Sequence, residues 1–386
     1  MNLNLAHYHV DSQRGFLPAE DPLRQLPSAY SAWEHIAAQV PALLLTERLR
    51  PELERLSPLA IEGLETNRHL QRAMLLLSVF GNAYVWAGPE PAPKIPLGVA
   101  IPLTQVAKNL GRPPIVAHAS MVLNNWRRLD PTQPIALDNL DTLQLFLGGL
   151  DERWFYLTTV AIEAEGARAL PALVPAIEAV AITQNEVSQS EVSRCEVIER
   201  SLQTVYTAIE AITTILLRIP EKCDPYIFFH RVRPFLAGWN APGVIYEGVS
   251  STPVQYAGGS AAQSSLIQAL DAALDIKHVD PQSRPFLMDM RTYMPPKHRQ
   301  FIEALEASPS LRQFIETNRR GNPALVEVYN HCLQALDRFR KKHIELTVRY
   351  ILHQTPETEQ AVGTGGTSFV PFLRKTRQEG TAPIIK

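Results

Sequence analysis

Two stretches of the chain carry an apolar stripe at helical spacing for longer than an ordinary helix needs. From Ala176 to Ile219, the residues Cys195, Ile198, Leu202, Val205, Ile209, Ile212 and Leu216 recur every three or four positions, with no Pro or Gly between them. From Ala324 to Thr355 the stripe is Leu325, Val328, Cys332, Ala335 or Leu336, Phe339, Leu346 and Tyr350, and His343 falls on it. Each predicts a long helix that buries one face. Strand-like alternation is scarce and no segment repeats at a fixed period, so the pattern predicts an all-α fold: a large helical bundle carrying a smaller, mostly helical N-terminal part.

Proline modifies this picture at the N-terminal end. Fifteen of the 31 prolines lie before residue 135, clustered in Pro89–Pro96 and Pro113–Pro114. Because proline cannot continue a helix past its first turn, this region reads as short helices joined by ordered loops. Asp151 to Val180 reads as an Ala-rich helical stretch interrupted near Pro171 and Pro175. Residues 354–368 lose periodicity altogether and include Gly363-Thr-Gly-Gly-Thr367, which predicts a mobile loop serving as linker or lid.

Composition narrows the class. With 386 residues, 45% hydrophobic and 20% charged, the chain can bury a real core. A net charge of −2, with no block of Lys and Arg, argues against a general nucleic-acid binder. Met1 to Leu17 lacks a basic start followed by an apolar run, so it does not read as a secretory signal, and no charge-free apolar stretch is long enough to span a membrane. The only cysteines are Cys195, Cys223 and Cys332, an odd and widely spaced set that fits a reducing, cytoplasmic setting.

A histidine on an apolar stripe is by default a satisfied core residue. His343, however, follows Arg340, Lys341 and Lys342, and a basic cluster beside an enclosed imidazole suits an anionic cofactor such as a haem with its two propionates. The Gly363–Thr367 loop lacks the ending of a phosphate-binding loop and reads better as flexible closure. The run Ala257-Gly-Gly-Ser-Ala-Ala-Gln-Ser-Ser265 opens an apolar helix; its small residues allow close backbone approach to a flat ligand, or it is an ordinary helix start capped by Ser264 or Ser265. Phe155, Thr159 and Ile162 share one helix face. Arg233 stands among aromatics, Phe228-Phe-His-Arg-Val-Arg233, where a guanidinium pairs a buried carboxylate belonging either to the protein or to a substrate. No zinc helix and no serine-nucleophile elbow occurs.

Longer strings add a resemblance. Ala83-Tyr-Val-Trp86, Arg112-Pro-Pro-Ile115, Val122-Leu-Asn-Asn-Trp126, Leu236-Ala-Gly-Trp239, Val244-Ile-Tyr-Glu-Gly248, the Ala257–Ser265 run, Asp289-Met-Arg-Thr-Tyr-Met-Pro-Pro296, His343 with Tyr350-Ile351, and the Gly363–Thr367 loop occur in this order. Together, from about Tyr8 to Arg377, they resemble the indoleamine 2,3-dioxygenase family and read as a bacterial member of it.

That resemblance implies one haem b held between a small domain (residues 1–146, covering the distal pocket) and a large helical domain (147–386). It also implies opening of the pyrrole ring of L-tryptophan or a related indole with O2, giving an N-formylkynurenine-type product. By the same resemblance His343 is the axial iron ligand, and Asp271 with Arg340 supports the proximal side and a propionate. Phe155 and Phe228 are the aromatics of the substrate pocket, and Arg233 receives the substrate carboxylate. Ser260 and Ala261 line the pocket, and Thr364 closes over bound substrate. Thr159 stands where animal enzymes have serine, His118 where they have tyrosine and Met121 where they have cysteine. Phe155, Thr159 and His118 are thus the candidates beside the reacting ring, with His118 either accepting the indole N–H or only shaping the pocket. A monomer is expected. Three other readings stay open: a different rearrangement of a tryptophan derivative on the same scaffold, a non-catalytic haem or O2 binder, and a helical interaction module without cofactor.

Overall fold

A computed structural model describes residues 3–181, 191–355, 363–364 and 369–385. Its helices are α1 (Ser31–Leu45), α2 (Leu49–Glu54), α3 (Asn67–Trp86), α4 (Leu97–Leu110), α5 (Leu150–Gly166), α6 (Ala169–Ala181) and α7 (Glu191–Leu216). They continue with α8 (Pro225–Ile227), α9 (Ser265–Ala273), α10 (Ser283–Arg291), α11 (Pro296–Glu306), α12 (Leu311–Asn318), α13 (Pro323–Thr347) and α14 (Phe369–Gly380). The all-α expectation is met, with two small sheets added. The strands β1 (Lys94–Ile95), β4 (Trp239–Tyr246) and β5 (Val254–Tyr256) form one sheet in the order β1-β4-β5. There β1 runs parallel to β4, Lys94 opposite Ile245, and β5 antiparallel to it. The strands β2 (Trp126–Arg128) and β3 (Leu140–Thr142) pair antiparallel.

Both stripes read from the sequence face inward. In α7 every stripe residue from Cys195 to Leu216 is buried, and in α13 the same holds from Leu325 to Phe339. The two helices pack together, and the Cys332 thiol donates to the carbonyl of Leu202 on the facing helix. Fully burying each aliphatic side chain is worth about 1.5–3 kcal/mol, so the paired stripes dominate this layer. The predicted stretch from Ala176 also spans residues 182–190, which lie outside the described residues.

Two expectations are corrected. The N-terminal region is not built only of short helices. Its prolines flank α3, which runs twenty residues behind a Thr66 cap that accepts from the N–H of His69 and is buried on all sides from Arg72 to Val85. The break expected at Pro171 and Pro175 falls instead at residues 167–168, between α5 and α6. Pro171 sits in the first turn of α6, where its missing N–H has no helical partner to lose, and α6 continues through Pro175.

The buried side chains divide into two clusters. One is formed by α5–α7, α9 and α11–α13, joined by Leu3, Val10, Phe16 and Leu17 from the chain start. The other is formed by α1–α4, joined by Phe235, Leu236, Trp239, Val244 and Tyr246 from around β4. Phe155 on α5 packs against both clusters.

Candidate functional site

Three single turns of wide, π-type helix occur among the described residues: Ala119–Leu123, Phe228–Val232 and Val348–Leu352. Such turns are rare and concentrate at functional sites because they re-aim side chains within a helix. Here His118 immediately precedes the first, Phe228 opens the second, and the third extends the helix of His343. The second and third meet, since the Phe228 ring lies 5.8 Å edge-on from Tyr350 and 4.6 Å from Phe155. Tyr350 is held by donating its hydroxyl to the Cys223 carbonyl. Phe155, Phe228 and Tyr350 therefore form an aromatic wall contributed by α5 and the two π turns.

His343 stands on the inward face of α13, partly accessible like Leu346 beyond it, whereas the stripe from Leu325 to Phe339 is sealed. Enough protein still surrounds it that burial pulls the imidazole down to about 4. It is therefore a neutral ring with a lone pair to offer at neutral pH. Among the described residues no three His, Cys, Asp or Glu side chains converge as a metal cluster.

One turn before His343, Arg340 points into the protein and donates through Nη2 to Asp271 Oδ1 of α9. Burial opposes the charged form of Asp271, but Arg340 and His278 outweigh it and hold the carboxyl below its ordinary value. The Nη1 of Arg340 is buried and has no hydrogen-bond partner. The rest of the expected basic cluster turns outward: Lys341 is exposed, and Lys342 pairs with Glu345 at 2.8 Å in solvent. This corrects the reading of three cations around His343. Helical geometry puts i and i+3 on one face, so only Arg340 shares the inward side.

On the opposite wall, the Thr159 hydroxyl donates to the Phe155 carbonyl one turn back, at 2.9 Å, and keeps only its acceptor capacity. Arg233 is half-buried with its guanidinium 5.2 Å over the Phe229 ring, and burial lowers its pKa from an ordinary value so high that it stays charged. His118 is buried, with Nε2 2.8 Å from Glu163 Oε1. The same oxygen accepts from Ser264 Oγ at 2.6 Å, while Glu163 Oε2 is buried without a partner. The backbone N–H of His118 donates to Gln263 Oε1, and Gln263 Nε2 donates to the Gly258 carbonyl.

The glycine-containing run is tied down from both sides. Ser260 caps the turn Ala261–Gln263, with Gln263 returning a bond to complete a capping box. Ser264 stands at the N-cap position of α9, but its hydroxyl is committed to Glu163 and makes no cap bond to the helix. Ala261 itself is exposed and Ser260 partly so. Gly258 passes so close to another loop that a Cβ would lie 2.1 Å from the Leu236 carbonyl oxygen, which excludes any side chain. Thr364 docks here: its hydroxyl donates to the Gly259 carbonyl at 2.6 Å, and the Gly258 N–H donates to the Thr364 carbonyl. The remaining residues of the expected mobile loop, 356–362 and 365–368, lie outside the described residues.

A neutral axial-type imidazole, an unpaired inward guanidinium N–H one turn away and an aromatic wall fit a haem with a flat substrate. The sequence profile of indoleamine 2,3-dioxygenase matches residues 4–383. The chain belongs to the indoleamine 2,3-dioxygenase family. It is 35% identical to indoleamine 2,3-dioxygenase 2 of Homo sapiens, over 99% of this chain and 96% of the relative. It is 36% identical to indoleamine 2,3-dioxygenase 1 of Mus musculus, over 97% and 94%. It is 33% identical to a 6-hydroxytryptophan 2,3-dioxygenase of Fusarium equiseti, over 97% and 96%.

Within this family member, the fold brings together Phe155 with Phe228, Asp271 with Arg340, and Thr364 with the Gly258–Gly259 backbone. Arg233 lies against Phe229. Four polar residues escaped the sequence reading: Glu163, Gln263, His278 and Glu379. Glu163 did leave a signal. It falls four residues after Thr159 on α5, an acid set between Ile162 and Ala164.

Proposed function

We propose that this protein is a haem-dependent dioxygenase acting on L-tryptophan or a closely related indole. The observation that carries the reading is His343: a neutral, enclosed imidazole one helical turn from a buried Arg340 N–H that has no protein partner. When bound, the haem supplies the ferrous iron at which both atoms of O2 are added across the indole C2–C3 bond, giving an N-formylkynurenine-type product. His343 holds the iron without the electron push of a thiolate, and Arg340 Nη1, steadied by Asp271, receives a propionate.

Phe155 and Phe228 pack against the flat ring and keep water from the reacting carbons. Arg233 binds the substrate carboxylate through its charged fork. Thr159 offers an acceptor toward the indole N–H, while Ser260, Ala261 and Thr364 close the loop side. In this reading His118 shapes the pocket, its Nε2 engaged by Glu163.

The test is reconstitution with haem, reduction, and addition of tryptophan under isotopically labelled O2. We expect a Soret band lost in His343→Ala and a ring-opened product carrying both labelled oxygens. A product with one labelled oxygen or none would replace dioxygenation by another rearrangement. A normal Soret band in His343→Ala would remove the ligand assignment.

A further inference from the structure

Behind the Asp271–Arg340 pair lies a histidine with carboxylates on both sides. His278 Nε2 is 3.0 Å from Asp271 Oδ2, and His278 Nδ1 is 2.9 Å from Glu379 Oε2. The oxygens of Asp271 are thereby divided, Oδ1 to Arg340 and Oδ2 to His278. Glu379, near the end of α14, uses Oε1 to accept the backbone N–H groups of Val279 and Asp280 at 3.0 and 2.9 Å. The chain Glu379–His278–Asp271–Arg340 thus runs from the C-terminal helix to the inward face of α13. Resting on the reading of Arg340 given above, we infer that His278 is a positioning residue. It holds Asp271, and through it Arg340, so that Arg340 Nη1 is presented to the carboxylate of a bound haem.

The argument is geometric first. A neutral imidazole carries one N–H, so between two carboxylates one ring nitrogen would face an oxygen with lone pair against lone pair. Only the doubly protonated ring satisfies both contacts. The charges then sum to zero over Arg340, His278, Asp271 and Glu379. An arriving propionate meets a neutral network with one free guanidinium N–H. Were His278 neutral, the network would carry a net negative charge and repel that propionate.

Further groups around His278 do not disturb this balance: Lys277 is exposed, and Asp280 is paired with Lys375 of α14 at 3.7 Å. Burial opposes protonation of His278, but Asp271 and Glu379 outweigh it and raise the imidazole above its ordinary value, with Arg340 opposing. Gly380 completes the arrangement. A Cβ there would meet Arg340 Nη1 at 2.5 Å, so the glycine leaves room for that buried nitrogen.

The experiment measures haem loss from the full-length holoprotein to excess haem-scavenging apoglobin, followed in the Soret region from about pH 6 to about pH 9. The variants are His278→Gln, Glu379→Gln and Arg340→Met, each checked for folding by circular dichroism. For the wild type we expect haem loss to quicken as pH rises through the elevated value of His278. His278→Gln should lose haem about tenfold faster at the acid end, as loss of an outer-shell partner does elsewhere, and should show no pH step. Glu379→Gln should move the same way and weaken the step. If both folded variants keep the wild-type rate and pH profile while Arg340→Met releases haem faster, the role of His278 is overturned. A lower melting temperature with an unchanged pH profile would reduce His278 to a structural contact and overturn it too. If Arg340→Met also keeps the wild-type rate, the assignment of Arg340 to a propionate fails, and this inference with it.

Discussion

His118 Nε2 lies 2.8 Å from Glu163 Oε1, and the two side chains are buried where the first π turn meets α5. The tautomer that satisfies the carboxylate places the ring proton on Nε2 and leaves Nδ1 as the one acceptor of the ring. Its service is to Glu163, which in turn holds Ser264 and thus the loop beside the pocket. Removing one member strands the other in a buried site. His118→Phe alone should destabilise the protein by about 1–3 kcal/mol, the usual consequence of leaving a buried polar group without its partner. His118→Phe combined with Glu163→Leu should cost clearly less than the sum of the single changes. A double-mutant cycle by urea unfolding checks this; additive losses would mean the two residues act independently.

Arg233 is predicted to act on substrate affinity. A bidentate, charge-assisted contact is worth about 1.5–3 kcal/mol, so Arg233→Ala should raise KM for tryptophan about tenfold to a hundredfold. Tryptamine, which lacks the carboxylate, should lose little. Steady-state kinetics with both substrates decide the matter, and an unchanged KM for tryptophan would end this assignment.

Gly258 is predicted to tolerate no side chain. Its Cβ position is 2.1 Å from the Leu236 carbonyl oxygen and 2.5 Å from the Gly238 nitrogen, both backbone atoms that cannot swing away. Gly258→Ala should cost about 3 kcal/mol in chemical denaturation, at the upper end of overpacking penalties. It should also release Thr364, whose carbonyl accepts from the Gly258 N–H. Faster proteolysis around residue 364 would report that release.

His298 sets an acid limit. It is buried beside Phe16, with ring centroids 4.8 Å apart, and burial pulls its imidazole down to about 3. The unfolded ring protonates near pH 6.5 while the folded one resists, so the unfolded state binds more protons between these values. Stability from this site is therefore intact above about pH 6.5 and falls by up to ~1.4 kcal/mol per pH unit as pH drops toward 3. The melting temperature of the wild type should fall relative to that of His298→Phe as pH is lowered from neutrality toward about pH 4, since the variant lacks this slope.

Much of the fold was legible because helices announce themselves locally. The stripes of α7 and α13 are periodic along the chain, and periodicity requires no knowledge of the partner. Proline was the weaker guide. Its clustering obscured α3, since what mattered was the proline-free run between clusters, and at Pro175 the helix simply continued. In the site, His343, Arg340 and the Phe155–Thr159 face could be placed by spacing and resemblance. Lys341 and Lys342 were separable from Arg340 by the same spacing, since only Arg340 lies three residues before His343 on the helix.

What the sequence by itself determined was the helical class, the two core stripes and the histidine on one of them, together with the ordered strings shared with the indoleamine 2,3-dioxygenase family. What only the tertiary structure decided was which polar groups meet. Glu163 finds His118 across 45 positions and Ser264 across 101. His278 finds Glu379 across 101 as well. Such pairs leave no periodic trace, because they are set by how helices and loops from distant parts of the chain pack. The low-dielectric interior then makes each unpaired polar atom costly enough that the packing must satisfy it or reserve it for a ligand.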